Sequence, residues 1–252
     1  MKKNNGIEMC LFLVMGFMLI FINGCNKDDG GNSTKNETVT DIDGNVYNTV
    51  TIGTQVWMAE NLKVTKYRNG DLIKTTIPSD LDLSNESTPK YQWIYGDNLG
   101  NLAKYGRLYT WFAATDSRNI CPSGWHLPTD AEWTVLIKYL ADNGFGFERS
   151  GSDIAKSMAT TSGWTANGIA GTVGNDQSSN NKSGFSAVAG GYRPYFDVLF
   201  QNIGVNGNWW SSTESNASKA LDIALNSISS SEIRFNGGIN KKTGNSVRCI
   251  KN

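Results

Sequence analysis

Turn-forming residues punctuate this chain so often that it must fold from short pieces joined by loops. Of 252 residues, 27 are glycine, and Gly, Asn and Ser favour tight turns between short strands. The strongest single element stands out against that background. Thr129 and Glu132 occupy capping-box positions. Trp133, Leu136, Ile137 and Leu140 then recur at i, i+3, i+4 and i+7, one apolar face of a helix. The pattern predicts a helix from Asp130 to about Asp142, with Gly144 as its stop. Leu108, Trp111, Phe112 and Thr115 keep helical spacing and predict a short helix over 107–114. Ile154 and Met158 mark another short helical segment.

Elsewhere the signals are those of strands and loops. Val46, Asn48, Val50 and Ile52 alternate against Tyr47, Thr49 and Thr51, which predicts a strand. The preceding Asp41-Ile42-Asp43-Gly44-Asn45 matches part of a calcium loop, but it lacks the later ligands and the closing Glu. It reads as a turn feeding the strand, and Gly53-Thr54 turns back into Gln55-Val56-Trp57-Met58. Residues 68–103, with isolated Tyr91, Trp93 and Tyr95, read as a long ordered loop, and 163–183 as an irregular stretch anchored by Trp164. From Phe185 onward, strand-like pieces at 185–189, 195–200, 209–212, 220–225, 232–235 and 246–250 suggest an antiparallel meander with Asn-Gly turns at 206–207 and 236–237. An aromatic content of 11% supplies a real core and argues against disorder. The 23 basic and 23 acidic residues balance, and no Lys/Arg cluster offers a nucleic-acid footprint, so nucleic acid is not expected as a partner.

The N-terminus carries an address. Lys2 and Lys3 precede an apolar run at 9–22 that ends at Ile22-Asn23-Gly24-Cys25, a match to a bacterial lipobox. About 14 apolar residues fall short of the roughly 20 that span a bilayer as a helix, so residues 1–24 read as a removable signal peptide. Cys25 is then the lipidated first residue, and two or more acyl chains hold a domain stably at a membrane. Residues 25–40 form the lipidated cysteine and a polar tether spanning ~20 Å; the domain proper covers 41–252. Lys27-Asp28-Asp29 resembles the Lys-acid-acid signal of outward-facing lipoproteins, so the expected location is the outer membrane, at the cell surface. Cys10 falls in the signal and Cys25 carries lipid, which leaves Cys121 and Cys249. In an exported protein such a pair forms a disulfide, the alternative being two buried thiols. The bond would close a loop of about 130 residues and contribute up to ~5 kcal/mol in the chain-entropy model. No metal site is expected, because His126 alone remains to help the two sulfurs.

Several blocks together resemble a family. They are Asp43-Gly44-Asn45-Val46-Tyr47, Ile52 to Leu62, Tyr105-Gly106-Arg107-Leu108-Tyr109-Thr110-Trp111, Cys121 to Trp133, Gly190-Gly191-Tyr192-Arg193, Trp209-Trp210-Ser211-Ser212-Thr213-Glu214 and Ser246-Val247-Arg248-Cys249. In this order, over 41–251, they resemble the Fibrobacter succinogenes major paralogous domain, a family of exported proteins with no established activity. More faintly, Leu127-Pro128-Thr129-Asp130-Ala131-Glu132-Trp133 is similar to formylglycine-generating enzymes and, through them, to the C-type-lectin-like fold. That resemblance implies an α+β, C-type-lectin-like architecture: short helices packed beside a twisted antiparallel sheet, long loops, and a disulfide linking the ends. Formylglycine generators bind copper through a cysteine pair in their C-terminal part. This chain has only Cys249 there, so neither that chemistry nor a cofactor is expected.

No catalytic set emerges. His126 would need a nucleophile and an orienting acid, and no Gly-x-Ser-x-Gly elbow exists; it reads as a structural histidine bonded to backbone. Gly168-Ile169-Ala170-Gly171 lacks the Gly-Lys-Ser/Thr of a phosphate loop. Glu60, Glu132, Glu214 and Asp222 are the acids nearest aromatic residues and the candidates for a glycosidase pair. The candidate ligand surface is Trp209, Trp210, Glu214 and Asn216: strand alternation sends one indole inward and leaves the other for a sugar or peptide, unless both serve packing. The expected function is a surface-tethered, non-enzymatic binding or adhesion module, for glycans or for an envelope or host protein. The alternatives are an assembly subunit of a cell-envelope complex and, behind it, a carbohydrate-active enzyme.

Overall fold

The computed structural model describes residues 37–149, 151–196 and 199–252. The predicted signal peptide, the lipidation site at Cys25 and most of the tether lie outside the described residues. In chain order the strands are β1 (Thr38–Thr40), β2 (Val46–Ile52), β3 (Gln55–Met58), β4 (Gln92–Ile94), β5 (Arg107–Tyr109), β6 (Trp125–His126), β7 (Gly190–Tyr192), β8 (Gln201–Ile203), β9 (Asn206–Glu214), β10 (Lys219–Asn226), β11 (Ile239–Asn240), β12 (Asn245–Ser246) and β13 (Ile250–Lys251). The helices are α1 (Leu102–Tyr105), α2 (Trp111–Ala114), α3 (Asp130–Asp142) and α4 (Ala155–Met158), and only α3, with 13 residues, exceeds about one turn. None of the described helices is long and apolar enough to cross a membrane.

The strands form two sheets. The first is antiparallel, in the order β1-β2-β3-β13-β6. The second runs β11-β10-β9-β12-β5-β4, with β7 also pairing with β9 and β8 with β7. This sheet is mixed, because β7 and β12 both run parallel to β9. The C-terminal segment therefore contributes an interior strand to each sheet.

Helix α3 has the predicted bounds and cap. Thr129 Oγ1 accepts from the Glu132 amide at 3.2 Å, and Glu132 Oε2 accepts from the Thr129 amide at 2.7 Å. Trp133, Leu136, Ile137 and Leu140 are its buried residues. The helix expected over 107–114 is instead two elements. Arg107–Tyr109 pairs with β4 and β12, and one helical turn follows after Thr110, whose side chain caps Ala113. Cross-strand pairing thus overrode the helical spacing.

The late meander is also rearranged. The pieces at 209–212 and 220–225 extend into β9 and β10. Those at 185–189 and 232–235 reduce to single bridges, and 246–250 splits between two sheets. Of the expected strand at 195–200, the described residues 195, 196, 199 and 200 lie outside any strand, between β7 and β8. Asn206-Gly207 lies within β9, where the Trp209 ring covers Gly207 so closely that a Cβ would come within 2.3 Å of it. The turn at 236–237 does form, with Gly237 at φ +82°. In β2 the buried side chains are Tyr47 and Ile52 while Val46 faces solvent, so the strand does not keep one apolar face.

Two main cores result. One gathers Trp57, Trp133, Phe185 and Trp209 with α3 and α4. The other gathers Tyr47, Tyr109, Trp111, Trp125 and Trp210 around the Cys121–Cys249 disulfide, whose Cα atoms are 6.0 Å apart. Strand β9 lies between them and is covered on both faces.

Candidate functional site

Strand alternation did separate the two indoles, but each side of β9 is core. Trp209 is 1% exposed and Trp210 is fully buried, so the expected solvent-facing indole does not exist. Trp209 Nε1 donates to Asn61 Oδ1 and Trp210 Nε1 to the Tyr109 carbonyl, both at 2.8 Å. Glu214 and Asn216 do reach the surface, at the turn between β9 and β10. Glu214 pairs with Lys241 at 2.8 Å, and Asn216 Oδ1 accepts from the amides of Ser218 and Lys219 at 3.0 Å each. The four residues therefore share a hairpin and no common surface.

The remaining polar candidates are engaged locally. His126 bonds to side chains rather than to backbone: Nδ1 meets Asn252 Oδ1 at 2.7 Å and Nε2 meets Glu132 Oε1 at 2.8 Å. Glu132 also receives the Thr129 hydroxyl, so the histidine and the hydroxyl both face the carboxylate and not each other. Glu60 accepts from Asn48 and Lys63. Asp41 closes the first turn, its carboxylate accepting from the amides of Asp43 and Asn45 and from the Tyr47 hydroxyl.

Residues that sequence reasoning passed over hold the framework. Asn61, nearly fully buried, donates to the Tyr105 carbonyl and Ser246 Oγ and accepts from Trp209 and Arg248. The Arg248 guanidinium is stacked over Phe185 at 4.3 Å, and burial pushes its pKa down to about 9, so it stays charged at neutral pH. Arg193, 1% exposed, stacks on Trp93 at 4.3 Å and donates to the carbonyls of Ser79, Leu81 and Pro194. Burial lowers its pKa as well.

Arg193 thereby fixes the segment that forms one wall of a groove of about 360 Å³. Tyr192, Tyr195 and Phe196 of that segment line the groove together with Lys219, Asn240 and Thr243. Phe196 is 63% exposed, and its ring sits edge-on to Tyr195, with centroids 4.9 Å apart. Asn240 Oδ1 accepts from the Lys242 amide at 3.0 Å, which fixes the plane of its side chain. A second cleft, of about 430 Å³, lies between Tyr67, Lys74, Glu86, Lys90, Tyr91 and Arg118. Its charges largely satisfy one another: Asp116 pairs with Arg118 at 2.8 Å and with Lys90 at 2.7 Å. The Arg118 guanidinium holds the Asp116 carboxyl well below the usual carboxylate range. The aromatic groove is the better ligand site, because it combines a fixed amide, a hydroxyl and an ammonium with a ring facing solvent.

No curated protein sequence and no solved structure gives a significant match to this chain. The model of the Fibrobacter succinogenes major domain matches residues 50–251, from within β2 to the end of β13. That span holds the capped helix, the disulfide, the buried tryptophan pair and both walls of the groove, and by it the chain belongs to the Fibrobacter succinogenes major domain family.

Proposed function

We propose that this protein is a surface-tethered, non-enzymatic binding module whose ligand class is a glycan, bound in the groove between Phe196 and Asn240. One observation carries the reading: an exposed aromatic residue and a side-chain amide fixed by its own hydrogen bond line the same groove. An aromatic face covers the apolar side of a sugar ring, while a few placed polar groups bond its hydroxyls and set orientation. The lipobox ending at Cys25 supports attachment to the outer membrane, with the domain at the cell surface. Short helices beside the sheets, and a disulfide joining Cys121 to the C-terminal segment, support the C-type-lectin-like version of the fold.

Glycan-array screening followed by calorimetry tests the site. Phe196→Ala and Asn240→Ala are each expected to weaken binding at least tenfold (about 1.4 kcal/mol) without shifting the melting temperature. Undiminished binding in both variants removes the groove from consideration. A protein ligand in an envelope assembly is the second reading, favoured by the same exposed ring, since aromatic anchors also dominate protein interfaces. A stoichiometric partner that co-purifies, is lost in Phe196→Ala, and is accompanied by no glycan affinity would establish that reading instead.

A further inference from the structure

The groove lined by Phe196 and Asn240 has polar groups of one character, and that character narrows the ligand. Strands β10 and β11 pair antiparallel, with Lys219 opposite Asn240 and Ala220 opposite Ile239. Ala220 is fully buried, and Ile239 packs against the disulfide core. Directly opposed residues share a face of the sheet, and successive ones alternate. Lys219 and Asn240 therefore emerge together on the other face, beside the groove they both line, with Cβ atoms about 5 Å apart.

What this pair offers is donors. Asn240 Oδ1 accepts from the Lys242 amide at 3.0 Å. Its partner there is an N–H, so the side-chain nitrogen is turned away from that bond, with two N–H groups left to give. Among the described residues, neither Asn240 Nδ2 nor Lys219 Nζ has a hydrogen-bond or ion-pair partner. Gln201, the other amide side chain in the lining, has its Oε1 occupied by the Tyr192 hydroxyl at 2.8 Å. Both amide oxygens of the groove are thus satisfied from within.

Charge points the same way. Lys219 carries the formal charge of the lining, and no carboxylate lines the groove. Of the acids on the β9–β10 hairpin, Glu214 is in register with Ala220, on the face away from Lys219, and pairs with Lys241 at 2.8 Å. Asp222 is 2% exposed and lies outside the lining. Behind the groove, the buried Arg193 guanidinium spends its hydrogen bonds on carbonyls alone. Asp80, Asp82, Asp97 and Glu86 act on it through space, and none of them lines the groove.

Free donors around a positive charge select a ligand with anionic oxygens. Building on the glycan site proposed above, we infer that the groove takes acidic glycans, sugars that carry a carboxylate or a sulfate group. Lys219 Nζ and Asn240 Nδ2 bond the anionic group while the sugar ring lies against Phe196. A neutral sugar meets the same aromatic residue and amide, but it gives the ammonium only a hydroxyl, a weaker acceptor than a charged oxygen.

An array of matched pairs tests this with the full-length protein, followed by calorimetry. Each pair presents one oligosaccharide as its carboxylate and as its methyl ester, or sulfated and desulfated. The acidic member is expected to bind about tenfold tighter, the worth of one hydrogen bond to a charged group, and high salt should shrink that preference. Lys219 is exposed, so Lys219→Gln should fold normally and bring the ratio within a pair close to one. Lys219→Arg should keep the preference. A preference confined to carboxylates, or to sulfates, supports the inference and identifies the anionic group. Equal binding of both members, or a preference that survives in Lys219→Gln, overturns the acidic class; loss of all binding in Phe196→Ala would then leave the glycan groove itself standing. Binding to no member of any pair overturns the acidic class and the glycan groove together.

Discussion

Adjacent tryptophans can both leave water only where a strand is covered on its two faces, and β9 is such a strand. Trp209 and Trp210 each fill a different core and each spend an indole N–H on a buried acceptor. Trp209→Ala and Trp210→Ala are therefore expected to cost about 3–5 kcal/mol each, measured as a fall in the urea midpoint at unchanged slope. Charged residues follow the same logic when they are paired. Asp116, held below the ordinary carboxylate range by Arg118, has a lower pKa folded than unfolded. Its contribution is present above about pH 4, and it is lost as pH falls through the unfolded value towards the folded one. Urea midpoints between pH 7 and pH 3 should decline at the acid end, and Asp116→Asn should flatten that decline. A variant with the wild-type slope would assign acid sensitivity to other carboxylates.

At the level of elements, legibility tracked how local the signal was. The cap, apolar face and bounds of α3 were readable because a helix is specified by neighbours three and four residues apart. Thr129→Ala removes the side-chain half of that cap, leaving the Thr129 amide on Glu132, and should cost about 1 kcal/mol, seen as a lower melting temperature. The split of 107–114 was not readable, since Arg107–Tyr109 becomes a strand only through partners at Gln92–Ile94 and Asn245–Ser246. Asn206-Gly207 misled for a related reason. It has the composition of a hairpin turn, yet its glycine is there to admit the Trp209 ring. Gly207→Ala should consequently destabilise the fold by about 1–3 kcal/mol or more through overpacking, whereas the same change in a turn would act through backbone angle alone. The candidate site shared this limit. Its walls come from segments around 192–196 and 219–243, and no local pattern links Phe196 to Asn240.

Over the whole molecule, the last residues join what the rest leaves apart. Strand β12 sits between β9 and β5, and β13 between β3 and β6. Cys249, between these two strands in the chain, is bonded to Cys121 across 128 residues of sequence. Cys121→Ser with Cys249→Ser, or reduction of the native bond, is expected to lower stability by about 2–5 kcal/mol, measured by denaturant unfolding with and without reductant. Such distant pairings also slow folding, because chain ends must meet before contact energy is gained. The arrangement has a consequence in time as well as in space. A chain emerging N-terminus first, from a ribosome or through a translocation channel, reaches Gly244 with β5 still separated from β9 and β6 from β3. Completion must wait for β12 and β13 to arrive, so both sheets stay open until residues 245–251 have emerged.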